Sequence, residues 1–111
     1  DLQVISTLVQ DSVFPMGETK WEPAKRRFSV LVNRFRWEDR AAADRQGRAV
    51  ERVRSGLSFG DVTRLSSSGV DRRDADLVLS VLSLAWTPGE DGTGVVELIL
   101  SGDGAIRAEV E

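Results

Sequence analysis

The sequence predicts an α+β fold, mainly β: an N-terminal helix packed on a curled antiparallel sheet of about seven short strands, a roll or partly closed barrel. Apolar residues recur at clear helical spacing near the start of the chain. From Gly17 onward they recur mostly with period two, the mark of half-buried strands. The strand-like runs are mostly joined by turn-length connections, which make neighbouring strands antiparallel. One helix covers one side of such a sheet, so the sheet must curl around its own core.

Residues 2–13 form the helical segment. Leu2, Ile5, Leu8, Val9 and Val13 share one helical face, Asp1 is the expected cap, and Pro15 and Gly17 end the helix. The β-rich part spans 17–111. A short strand around Trp21 closes at Pro23. Arg27–Trp37 is the clearest strand. Phe28, Val30 and Val32 share a face, but Phe35 and Trp37 have the opposite parity. A bulge near Asn33 would restore the phase, burying both aromatics and turning Arg34 and Arg36 outward.

Residues 38–49 are polar and small, and are expected to be a long, mobile connection with at most a helical turn through Ala41–Ala43. Val53, Ser55, Leu57 and Phe59 then alternate with Arg52, Arg54, Gly56 and Ser58, which places Phe59 in the core. Gly60-Asp61 reads as a turn, Val62–Ser67 as a strand and 69–76 as a loop. Leu77–Trp86 suits a buried helix or a buried strand. The turn residues and β pattern that follow favour the strand. Val95–Ser101 and Ala105–Glu111, joined by Gly102-Asp103-Gly104, form a hairpin.

A chain of 111 residues is the size of one domain. We read 1–111 as a single domain, and the absence of Met at position 1 suggests further residues beyond its ends. No apolar run reaches the ~20 residues of a membrane helix. No signal-peptide pattern is present, so a cytoplasmic location is expected.

The chain has no His and no Cys. The usual general base near neutral pH, thiol chemistry and Ser-His-Asp arrangements are therefore excluded. No metal site or cofactor is expected. A carboxylate-based enzyme is the remaining catalytic option. Asp71, Asp74 and Asp76 are interleaved with Arg72 and Arg73, which suits a solvated turn better. Gly89, Gly92 and Gly94 lack the following helix of a phosphate loop and read as turn glycines. Trp21, Trp37 and Trp86 are core candidates.

Charge is unevenly spread. Residues 25–54 hold ten basic residues against four acidic ones, net +6, and residues 55–111 are net −6. If the two arginine-bearing strands pair, Arg34, Arg36, Arg52 and Arg54 would share one outer face beside Trp37, an anion-attracting patch. The competing reading pairs these arginines with carboxylates such as Glu97 or Glu109 on neighbouring strands. The overall charge of −3 and pI near 5.0 argue against nucleic acid as the partner.

Trp21-Glu22-Pro23, Arg27-Phe28, Asn33-Arg34-Phe35-Arg36-Trp37-Glu38, Leu8-Val9-Gln10-Asp11-Ser12-Val13 and Gly104–Glu111 together resemble a family of small alphaproteobacterial proteins. That family is known as domain of unknown function 2948. The resemblance spans nearly the whole chain and implies lineage, with no activity or catalytic residue to carry over. The resulting expectation is a non-enzymatic cytoplasmic binding or adaptor domain with a protein partner, itself or another. The alternative is an anion or nucleic-acid module using the arginine-rich sheet face.

Overall fold

A computed structural model describes residues 2–111 of the chain. The expected helix cap, Asp1, lies outside the described residues. Helix α1 spans Leu2–Val9. It is shorter than the 2–13 read from the sequence, because Val13 starts strand β1, Val13–Pro15. Seven further strands follow: β2 Thr19–Glu22, β3 Arg27–Phe35, β4 Arg52–Phe59, β5 Val62–Ser68, β6 Val78–Pro88, β7 Gly94–Leu100 and β8 Ala105–Val110. All pairs are antiparallel. The architecture is the curled, mainly β sheet with an N-terminal helix that the alternation predicts.

Strand order along the sheet is β2-β3-β1-β6-β7-β8-β5, with β4 on the far edge of β3. β3 therefore carries both β2 and β1 along one edge, side by side. β6 links the two halves: Val78–Ser80 pair with β1, and Val81–Pro88 pair with β7. The edge of β6 beyond β1 is covered by α1, where Ser6 Oγ accepts the Leu84 N–H at 2.9 Å. A hydroxyl thus supplies the acceptor that a missing strand would have provided.

The core lies between the halves. Phe14 is fully buried, as are Val30, Val32, Val81 and Leu100 to within 2% exposure. Trp21, Phe28 and Phe59 stand opposite one another across β2, β3 and β4. The Phe28 and Phe59 rings stack at 6.2 Å. Cross-strand aromatic contacts of this kind fix register as well as bury area. Two turns match their glycines. Asp91-Gly92 and Gly102-Asp103 all have positive φ, the hand that suits tight hairpins.

Two sequence expectations fail here. β3 has no bulge at Asn33: it pairs with β4 in unbroken register from Phe28 to Phe35. Period two then carries Arg34 to the Phe28 side and leaves Phe35 outside it. The bulges lie elsewhere, at Thr63 in β5 and at Leu82 in β6. The connection after β3 is also structured, with a 3-10 turn at Trp37–Asp39 running into helix α2, Arg40–Arg45. Ala43 is fully buried in it. Arg48 closes back on Asp39 at 2.7 Å, so a charged segment folds by pairing its own charges.

Candidate functional site

The four arginines of the expected basic face do not share a face. Directly opposed residues in an antiparallel pair point the same way. Arg52 stands opposite Phe35 and Arg54 opposite Asn33, on the outer face, whereas Arg34 stands opposite Val53 on the inner face. Arg36 lies past the end of β3, where its N–H donates to the Glu51 carbonyl at 2.8 Å.

Each arginine is also engaged. Arg34 donates through both Nη atoms to the two Glu38 oxygens, at 2.9 and 3.0 Å, and through Nε to Ser55 Oγ at 2.9 Å. These bonds hold the Glu38 carboxyl at about 2, well below its ordinary 4.5. Arg36 lies 3.9 Å from Glu51, and Arg54 3.7 Å from Glu18. Arg52 covers the Phe35 ring at 4.0 Å and donates to Asn33 Oδ1 at 3.2 Å. Trp37 is a staple: its Nε1–H donates to the Gln10 carbonyl at 3.2 Å, tying the turn after β3 to the end of α1.

Charge pairing is mostly local. Glu97 and Glu109 are taken by Arg107 and Arg64, not by the middle arginines. Arg26, bonded to Glu111, is the one described residue of 25–54 paired with the acidic C-terminal part. Asp71 and Asp74 accept backbone N–H groups two residues on, at 3.0 and 3.2 Å, as solvated turns do. Among the described residues no group of three potential ligands is placed to hold a metal.

A different place has the shape of a binding site. β2 and β5 are the two ends of the strand path, each paired on one edge only. Between them lies a cleft of about 170 Å³. Its floor is core: Met16, Phe28 and Ile106, all buried. Its walls are the half-buried Thr19 and Trp21 of β2 and Leu65, Ser66 and Ser67 of β5. Arg72, from the loop between β5 and β6, stands exposed at its mouth.

Register explains why these side chains converge. Trp21 stands opposite Phe28, and Ser67 opposite the buried Ile106, so both face inward. The loop holding Arg72 is pinned beside β2 by the Gly17 N–H bond to Ala75 O, 2.9 Å, and the Met16 N–H bond to Leu77 O, 2.7 Å. Arg72 has no carboxylate within ion-pair distance among the described residues. The Ser67 hydroxyl likewise has no hydrogen-bond partner among them. A wider hollow below the β6–β7 turn is lined mostly by exposed residues and lacks such a floor.

The family model described as protein of unknown function (DUF2948) matches residues 1–111. The chain belongs to that family. No curated protein and no solved structure matches this DUF2948 chain. No helix among its described residues is long and apolar enough to cross a membrane.

Sequence reasoning counted Arg72 as part of a solvated loop and Trp21 as core. Ser67 faces inward because the bulge at Thr63 shifts the phase set by the buried Val62, a change the alternation alone does not show.

Proposed function

We propose that this domain is a non-enzymatic, cytoplasmic binding module for a protein partner, and that it grips the partner at the cleft between β2 and β5. One observation carries the reading: the sheet is left open there, with two unpaired strand edges flanking an apolar-floored cleft. Unpaired edges offer backbone donors and acceptors to an added strand. The floor offers a place for a side chain of that strand.

The non-enzymatic part draws on the electrostatics. Among the described residues, the carboxyls with shifted pKa, Glu38 and Asp39, are both lowered by bonds to arginines, Arg34 and Arg48. A general acid or base near neutral pH needs the opposite shift. The test is selection of extended peptides from a displayed library on the wild-type domain. Peptides enriched on the wild type should lose binding to Ser67→Arg, which fills the cleft, while both proteins melt cooperatively. Equal binding to both would end this reading.

A second reading has an observation of its own. The outer face of β2, β3 and β4 presents Lys20, Arg27, Arg52 and Arg54 around the small residues Ser29, Gly56 and Ser58. That surface suits an extended anion such as single-stranded RNA. Its sign would be an affinity that falls steeply with salt and is lost in the Arg52→Ala, Arg54→Ala double variant.

A further inference from the structure

We propose that the group received by this cleft is an aliphatic or small aromatic side chain of an extended segment with a carboxylate beside it. The inference rests on the reading of the cleft as a protein-binding site and names the chemistry of what enters.

Size sets the first constraint. The cleft holds about 170 Å³. Pockets that enclose whole small-molecule ligands span roughly 300–1,000 Å³. A dry cavity of roughly 150 Å³ is enough for benzene. The space therefore suits one apolar side chain of a larger ligand. The floor of Met16, Phe28 and Ile106 offers it no polar partner, and the hydroxyls of Thr19, Ser66 and Ser67 stand on the walls.

Charge sets the second. Arg72 stands at the mouth with its guanidinium unpaired among the described residues, although its neighbour Arg73 lies 3.8 Å from Asp71. A carboxylate beside the buried side chain would meet Arg72 as the side chain enters. A guanidinium takes a carboxylate through two parallel bonds.

Backbone sets the third. β5 is paired with β8 over Val62–Ser68, with its Val62 N–H donating to the Arg26 carbonyl at 2.9 Å, and β2 is paired with β3 over Thr19–Glu22. An extended segment along either edge places alternate side chains on one face. One side chain then drops into the cleft, and the carboxylate is that of an acidic residue two positions on, which the alternation returns to the same face.

The experiment uses synthetic eight-residue, β-prone peptides built on alternating threonine and valine. One set has a central leucine, a glutamate two residues on and an amidated end. A second has leucine as the last residue with a free carboxylate. A third is the amidated leucine peptide with glutamine in place of glutamate. Amide-shift titration of the isotope-labelled domain reads where and how tightly each binds.

The expected result is saturable shifts at Thr19, Trp21, Ser66 and Ser67 for the internal-glutamate peptide. Tighter binding of the free-end peptide would overturn the internal source. Arg72→Gln should weaken the internal-glutamate peptide about fivefold and leave the glutamine peptide unchanged. Arg72 is exposed, so this variant keeps the fold, and its melt checks that. If all peptides bind at the cleft alike and Arg72→Gln changes nothing, the carboxylate requirement is wrong while the cleft remains a binding site. If no peptide shifts the cleft resonances, both readings fall.

Discussion

β3 and β6 both carry an apolar pattern that changes phase partway along, and they resolve it in opposite ways. In β6, Leu79 and Val81 are buried, then Leu84 is, with one extra residue between. The strand absorbs the change with a bulge at Leu82, which is 49% exposed. In β3 the ladder runs on unbroken, and the polar residue that arrives on the inner face is satisfied instead. Arg34 reaches Glu38 and Ser55 there, with its side chain 15% exposed. A bulge corrects geometry at the cost of a ladder position. A partnered arginine keeps the ladder and uses polar bonds in place of a core contact. The choice follows position. β6 runs through the middle of the sheet with buried residues on both sides of the shift, whereas Arg34 sits near the end of β3, where the carboxylate of the following turn can reach it.

The largest test of this contrast puts a charge where β6 uses a bulge. Val81 is fully buried, and Val81→Asp should cost about 4 kcal/mol or more in denaturant melts, because an unpartnered charge in the core is expensive. A loss below about 1 kcal/mol would mean that β6 can satisfy a polar residue as β3 does.

Next come the stacked phenylalanines, which report on centre against edge. Phe28→Ala, at a residue 3% exposed, should cost about 3–5 kcal/mol. Phe59→Ala, on the half-buried edge strand β4, should cost about 2–3 kcal/mol. A reversed order in equilibrium unfolding would contradict the placement of β4 at the edge.

Glu38→Gln tests the β3 solution directly. The folded carboxyl lies at about 2 against an ordinary 4.5. A lowered value stabilises the fold above the ordinary pKa, and that contribution is lost as pH falls through the folded value. The wild type should therefore melt above Glu38→Gln at neutral pH, and the two curves should converge between about pH 4.5 and about pH 2. A constant gap across that range would show that Arg34 does not depend on the Glu38 charge.

The smallest effect belongs to Leu82→Thr, which keeps the bulge and changes only an exposed side chain. It should alter stability by less than about 0.5 kcal/mol. Paired with Val81→Asp, it separates the exposed bulge residue from its buried neighbour.

Local chemistry was legible from residues alone. Period two over 28–32 and 53–59 gave the faces of those stretches of β3 and β4. The Gly-Asp and Asp-Gly pairs gave the turns, and the following turn residues gave β6 as a strand. Family membership was legible in the Asn33–Glu38 segment and elsewhere. The phase change after Val32 was equally visible, but its resolution was not. A bulge and a partnered arginine leave the same pattern in one strand, and Glu38 and Ser55 lie four and twenty-one positions away. The connection at 38–49 was read as mobile with at most a turn through Ala41–Ala43, and its full order was out of reach because the pairing of Arg48 with Asp39 spans nine residues. The cleft was out of reach for the same reason on a larger scale. Trp21, Ser67 and Arg72 meet only because β2 and β5 are the two ends of one curled sheet. Sequence patterns report which face a residue takes within its own element; which elements are left without a neighbour is decided by how the whole chain closes.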